Sequence, residues 1–301
     1  MVKPFWPRKS PHFLACRRAV RPAQPQVAVG LSGGPDSLAL VAALVAEGVQ
    51  VRALCVDHQL DANSAEVAYK AASIARGFGA EAEVLHVRVK SSKGMEADAR
   101  EVRYRALTQA VGEGVLAVGH TRDDQAETLL LSALRGKAAG MPRWRDMGAV
   151  QLWRPLLHVG RVDTLGACEE LGLEPWMDPL NHAEASRRVA LREYILPQLS
   201  QLIGGDAVTA LAGAAEELVR DEQALEWWAG DVEKLEHAPS AVRRRAIAKM
   251  LQQAGIELKK AHLDAGEALV CDWHGQGAVK LGKGLELVRK DGTLWVERAE
   301  R

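Results

Sequence analysis

The chain has 301 residues, of which 48% are hydrophobic, enough to bury a sizeable core in one large domain or two ordinary ones. Charged residues make up 26% and balance at 39 basic against 39 acidic, which excludes a global electrostatic signature for nucleic acid; any RNA-facing surface must be local. The four cysteines, Cys16, Cys55, Cys168 and Cys271, form no C-x-x-C pair, which excludes a zinc ribbon or dithiol motif and fits a reducing compartment.

Residues 1–21 are basic, but Pro4, Pro7 and Pro11 break them, so they lack the continuous apolar segment of a secretory signal. All longer apolar runs are of strand length, so no membrane span is expected and the protein is expected in the cytoplasm. Val- and Leu-rich runs follow at 27–31, 51–56, 83–89, 115–118 and 150–153. Ala-rich stretches with helical spacing separate them at 37–47, 64–78, 94–111 and 123–134. This alternation predicts an α/β fold, a parallel Rossmann-like sheet with helices on both faces. Such sheets take ligands beyond the C-terminal ends of their strands, where strand order reverses. The loops after Leu31, Val56 and Val118 are therefore expected on one edge. Residues 161–200 read as helical and more polar, Gly204-Gly205 as a break, and 206–255 as a small helical domain. The segment 279–296 reads as a hairpin turning at Asp291-Gly292. The expected division is a catalytic domain over 1–200 and a smaller, mainly helical one over 201–301.

The first loop is Ser32-Gly33-Gly34-Pro35-Asp36-Ser37. Paired glycines let the backbone turn sharply and approach a ligand. Pro35 suits the first turn of a helix, where its missing N–H costs nothing. The free N–H groups then converge on one spot, which attracts an anion, usually phosphate. Ser32 and Ser37 add hydroxyl donors. A carboxylate there is repulsive unless a cation intervenes, so Asp36 reads as a Mg²⁺ ligand beside a triphosphate; the alternative is a tight turn in which it serves the helix dipole.

The second strand ends in Asp57-His58-Gln59-Leu60. After the fourth comes Gly119-His120-Thr121-Arg122-Asp123-Asp124-Gln125-Ala126-Glu127-Thr128. Thr121 with Asp124 three residues on reads as an N-cap, but capping accounts for neither His120, the doubled aspartate nor Glu127. On a helix Asp123, Asp124 and Glu127 share a face and repel unless Mg²⁺ or an ammonium neutralises them.

The first loop resembles the S-G-G-x-D-S signature of the PP-loop ATP pyrophosphatases, a family with an adenine nucleotide α-hydrolase-like fold that splits ATP between the α and β phosphates. The later segments are similar to those of tRNA(Ile)-lysidine synthetases. The 119–128 stretch matches that family's G-H-x-x-D-D-Q-x-E-T at every fixed position. Asp57-His58 matches part of H-x-D-H-x-L-R, with Cys55 in place of the first His and Asp61 in place of the Arg. Arg100 to Tyr104 matches R-x-x-R-Y, and Leu134-Arg135-Gly136-Lys137-Ala138-Ala139-Gly140-Met141 matches a Gly-rich segment ending in Gly-Met. Arg154-Pro155-Leu156-Leu157, then Asp178-Pro179-Leu180-Asn181 after Trp176-Met177, then Arg188 and Arg192 keep the family order, with Leu180 for Ser and Ala190 for Arg.

The resemblance implies ATP bound by Ser32, Gly33, Gly34, Pro35, Asp36, Ser37, Asp57 and His58, with Mg²⁺ on Asp36. It implies catalysis by Asp36, His120, Asp123, Asp124 and Glu127, and contact with substrate or tRNA through Arg103, Arg135, Gly136, Arg188 and Arg192. The implied partners are tRNA(Ile) with a CAU anticodon and free lysine; a homodimer is left open. The basic groups Arg243-Arg244-Arg245 and Lys259-Lys260 would serve an accessory domain that grips tRNA. A tRNA thiolase, another adenylating ligase and a non-catalytic RNA-binding protein are the rival readings.

Overall fold

The computed structural model describes residues 6, 9–59, 64–88, 95–136, 138–176, 187–228 and 232–299. Leu60, Asp61, Lys137 and the Met177-Asp178-Pro179-Leu180-Asn181 segment lie outside the described residues. The chain forms two compact units, Met1–Glu216 and Glu217–Arg301.

The first unit is built on a six-stranded sheet of order β3-β2-β1-β4-β6-β5. Its strands are β1 (Gln26–Gly30), β2 (Gln50–Asp57), β3 (Glu81–His86), β4 (Gly114–Val118), β5 (Trp144–Asp146) and β6 (Val150–Trp153). All pair in parallel except β5, which lies antiparallel on β6 at the edge. The chain moves outward from β1 to β3, then returns to place β4 on the other side of β1. That reversal opens the crevice between the loops after β1 and β4.

One face is covered by α1 (Pro11–Val20), α2 (Pro35–Ala46), α3 (Ser64–Phe78) and α6 (Arg161–Glu170), all contributing to one buried cluster with Phe13, Leu38, Leu40, Leu44 and Trp153. Helix α2 buries every residue from Ser37 to Leu44, as a helix apolar all round must. Each fully buried leucine contributes about 1.5–3 kcal/mol. On the other face, α4 (Met95–Val111) lays Leu107 and Tyr104 against Leu54, Leu116, Val118 and Leu152. Helix α5 (Arg122–Ala133) follows β4. Further on, α7 (Arg187–Ala190) passes through a π-helical turn, Leu191–Ile195, into α8 (Leu196–Ile203). Pro197 lacks the N–H an α-helical bond needs, which accounts for the wider turn there. Gly204 ends α8 in the left-handed conformation at φ 63°.

Two elements depart from the sequence expectation. Helix α1 arises in the basic N-terminal stretch because Pro11 sits at its first position, where proline is tolerated, and Phe13, Cys16 and Val20 form a buried stripe. Strand β5 is three exposed residues long, too short to show alternation.

The division between units falls within α9 (Ala207–Trp228). The second unit then contains α10 (Val232–His237), α11 (Ser240–Gln253), α12 (Lys260–Cys271) and a three-stranded antiparallel sheet. Its strands are β7 (Val279–Gly282), β8 (Leu285–Lys290) and β9 (Thr293–Arg298). The expected hairpin is therefore β8–β9, turning at Asp291-Gly292, with β7 added through a second turn at Lys283-Gly284. Leu235, Ile247, Leu251, Leu269 and Leu287 form its core.

Candidate active site

The loop between β1 and α2 is held by its own serines. The Ser32 backbone N–H donates to Ser37 Oγ at 3.2 Å, and Ser37 Oγ donates to the Gly34 carbonyl at 3.0 Å. Gly33 has φ +85°, a conformation costly to any residue with a side chain. Its carbonyl accepts the Trp176 N–H at 2.9 Å. Gly34 caps α2 and Pro35 opens it, so the first-turn N–H groups of Asp36 and Ser37 point outward with no intrahelical partner. The strand, glycine turn and proline-led helix start read from the sequence are all present.

The loop after β4 meets it directly. A Cβ on Gly119 would lie 2.9 Å from the Asp36 carbonyl carbon and 3.0 Å from the Ser37 nitrogen, so only glycine lets the two loops touch. Thr121 then caps α5. The Asp124 carboxylate accepts the Thr121 N–H at 2.8 Å, completing the reciprocal box read from the sequence. Gln125 is 1% exposed and grips the Met141 backbone with both ends of its amide, at 2.7 and 3.0 Å. Ser132 Oγ accepts the Ala139 N–H at 2.9 Å. The Gly-Met segment is thus anchored to α5, whereas Arg135 and Gly136 stay exposed.

The carboxylates of the two loops converge on a residue not singled out from the sequence, Arg161, the first of α6. Its Nη2 lies 3.4 Å from Asp36 Oδ2 and 3.6 Å from Asp124 Oδ1. Its backbone N–H donates to Asp123 Oδ2 at 2.8 Å, and its Nε is buried without a partner among the described residues. Thr164 Oγ1, one turn along, donates to Asp36 Oδ1. Burial raises the Asp36 carboxyl to about 6, with Asp124 adding to the effect and Arg161 opposing it. Such a shift destabilises the ligand-free fold above pH 6 and costs nothing below pH 4, where Asp36 is protonated folded or unfolded. Asp36→Asn is therefore expected to stabilise the ligand-free protein by about 1–2 kcal/mol at pH 8, part of the gain being offset by Arg161 losing its partner. At pH 4 the two proteins should melt together; equal melting at pH 8 as well would contradict the buried-charge account.

Glu127 faces elsewhere. Its carboxylate is 0% exposed and is held by Arg188 Nη1 at 3.1 Å and by Arg192 Nε and Nη2 at 3.0 and 2.8 Å. Three of the residues named from the sequence, Glu127, Arg188 and Arg192, thus form one ion cluster. Asp57 is similarly occupied. It accepts from Ser64 Oγ at 2.6 Å, from the Gln59 N–H at 3.0 Å and from His86 Nδ1 at 3.0 Å, and these bonds, working against burial, lower its pKa.

Across the crevice the groups are basic. His120 Nδ1 accepts from Arg154 Nε at 3.2 Å, and burial pushes the imidazole down to about 3. It is therefore neutral, with its proton on Nε2. Arg100 and Arg103 lie 5.1 and 5.7 Å from the Tyr104 ring centre. Among the described residues none of Arg100, Arg103 and Arg154 pairs with a carboxylate. His58, whose Nδ1 is buried without a partner among the described residues, has its pKa lowered by burial and by Arg103.

Among the described residues no three His, Cys, Asp or Glu side chains are grouped to hold a metal ion, and no helix is long and apolar enough to cross a membrane. Cys16, Cys55 and Cys168 are buried, and burial pushes each thiol up to about 12, so none supplies a thiolate. In the second unit, Arg243 and Arg244 pair with Glu267, and Arg244 also with Asp264, so two of the three clustered arginines are internally bonded.

A family model described as a PP-loop domain matches residues 11–199, and one described as the TilS substrate binding domain matches residues 231–295. A tRNA(Ile)-lysidine synthase of Corynebacterium glutamicum is 48% identical over 305 residues, covering 96% of each chain. One of Corynebacterium diphtheriae is 54% identical over 295 residues, covering 97% of this chain and 99% of the relative. Among solved structures, the U34-tRNA thiolase NcsA of Methanococcus maripaludis superposes with a TM-score of 0.59 at 20% identity, over 70% of this chain and 81% of that one, a likeness of fold. With the phosphate loop and the acidic helix meeting as they do, and relatives matched over nearly their whole length, the chain belongs to the tRNA(Ile)-lysidine synthase family.

Proposed function

We propose that this protein is a cytoplasmic ligase that uses ATP to join free lysine to C2 of the wobble cytidine in the CAU anticodon of tRNA(Ile). The observation that carries the reading is the meeting of the loop after β1 and the acidic helix on Arg161, with Arg100, Arg103 and Arg154, which have no carboxylate partner among the described residues, close to His120. We assign the triphosphate to this crevice, with loop N–H groups and Arg161 as donors from one side and Arg100, Arg103 and Arg154 from the other. The buried, unbonded Nδ1 of His58 is left to contact the nucleoside.

The cytidine C2 carbonyl oxygen attacks the α-phosphate, pyrophosphate leaves, and the adenylated base then accepts the lysine ε-amine at C2 as AMP departs. The carbonyl oxygen is a poor leaving group until AMP is attached. The developing phosphate charge is met by the loop N–H groups, Arg161 and the arginine cluster. Mg²⁺ is normally held by one or two carboxylates plus substrate phosphates. Asp36, with Asp124 beside it, fits that donor set, and the ion would supply neutralising charge on the phosphates. His120 carries its proton on Nε2 and acts as a donor toward the base or phosphate, not as the acceptor of the lysine proton. An ammonium with a solution pKa of about 10.4 must lose that proton before attack. We assign that role to Asp123, whose Oδ2 accepts the Arg161 N–H and whose Oδ1 makes no bond among the described residues. Glu127 orients Arg188 and Arg192, and the second unit grips the tRNA body.

The test is the mass of tRNA(Ile) after incubation with ATP, Mg²⁺ and lysine. A lysine-sized increase on the wobble cytidine, lost in Asp36→Ala, is expected. Incorporation of sulfur instead of lysine, or pyrophosphate release without tRNA, would replace the reading with the thiolase or the small-molecule ligase.

A further inference from the structure

A tryptophan pair lies on the rim of the crevice, outside the site described above. Trp153, the last residue of β6, is 0% exposed; Trp144, its antiparallel partner on β5, is 39% exposed and stacks on it with ring centres 5.3 Å apart and planes 11° from parallel. Trp153 also pairs in register with Ala117 near the end of β4, so the pair sits at the ligand edge of the sheet. Trp144 stands two strands from β4, about 10 Å at roughly 4.8 Å per strand. The stack holds Trp144 in one orientation while its other face stays accessible.

Cationic groups lie across the same edge strand. Arg145, next in sequence and so on the opposite face of β5 from Trp144, is exposed and close enough to Arg154 to help lower its pKa, as is Arg100. Among the described residues neither Arg145 nor Arg100 pairs with a carboxylate. The nearby Asp146 spends Oδ1 on the Gly148 N–H at 2.7 Å. A rigid exposed aromatic face on an edge strand, with arginines across that strand free of carboxylate partners among the described residues, can stack an unpaired base while its phosphate backbone rounds the edge. A protein partner would gain little from burying arginines without carboxylates.

We propose that Trp144 is a stacking platform for an unpaired RNA base neighbouring the modified cytidine, with Arg145 on the adjoining phosphate. The proposal rests on the reading of this crevice as a tRNA-modifying site. It places Trp144 in recognition of tRNA and outside the handling of ATP and lysine.

The test compares Trp144→Ala, Trp144→Phe and Arg145→Ala in the full-length protein. Loss of one stacked base should weaken tRNA binding of Trp144→Ala roughly five- to a hundred-fold with the salt slope of binding unchanged. Trp144→Phe should recover most of the affinity, and Arg145→Ala should reduce the salt slope by about one. KM for ATP and for lysine should not move. Unchanged tRNA affinity in a folded Trp144→Ala protein, or a failure of phenylalanine to rescue, would overturn the platform. A wild-type protein that incorporates no lysine, with tRNA binding still weakened by Trp144→Ala, would overturn the functional reading and leave the platform standing.

Discussion

Glu127→Ala is expected to lower the stability of the first unit by about 2–3 kcal/mol and to weaken tRNA binding at the same time. Removing one partner of a buried ion pair ordinarily costs about 3–5 kcal/mol, because the remaining charge is stranded. Here the stranded charges are two, but Arg188 and Arg192 are 37% and 20% exposed at their side chains, so water recovers part of the loss. The carboxylate accepts three N–H donors and ties the helical run 187–203 to α5. Without it both guanidinium groups lose the partner that fixes their orientation. Glu127→Gln keeps the volume and one acceptor and should fall between the two. A triple variant with Arg188→Leu and Arg192→Leu added should regain much of the stability but not the tRNA affinity, since an apolar replacement removes the whole charged set. Denaturant unfolding of the three variants measures the first effect and tRNA titration the second. A Glu127→Ala protein with wild-type stability would show that the cluster is not what fastens that helix.

What could be read before the fold was known follows a physical divide. The phosphate loop, the Thr121–Asp124 cap, the parallel sheet and the turn at Asp291-Gly292 were legible because each is decided by neighbours within a few residues. Gly33 and Gly119 were visible as glycines, but the reason for Gly119 lies in Asp36, brought beside it only by strand order. The same holds for Glu127. Its spacing from Asp123 predicts a shared acidic face, yet its carboxylate turns to arginines some sixty residues on. Strand β5 and helix α1 were illegible for a different reason: one is too short for a periodic pattern, the other hidden by prolines that its first position tolerates. Arg161 and Thr164 open an ordinary helix and carry no local mark of chemistry.

Arg161 is also where the largest kinetic effect is expected. Arg161→Gln should lower kcat by a factor of about 10²–10³, the usual consequence of removing one fixed donor from a site of developing charge. The distances of 3.4 and 3.6 Å to Asp36 and Asp124 are those of a guanidinium shared between two carboxylates rather than bonded tightly to one. Take the charge away and Asp36, Asp123 and Asp124 face a triphosphate without compensation, so the KM for ATP should rise as well, while that for lysine changes less. Lysine at this position keeps the charge but not the fork, and should restore only part of the rate. The variant carries a second signature in pH. Burial already raises Asp36 to about 6, and Arg161 is the largest influence pulling it down. Without that influence Asp36 titrates higher, so the acid limb of the rate profile should move to higher pH in Arg161→Gln and stay in place in Arg161→Lys. A uniform loss of rate with the acid limb unmoved would mean that Arg161 supports the fold of the crevice and does not set its charge.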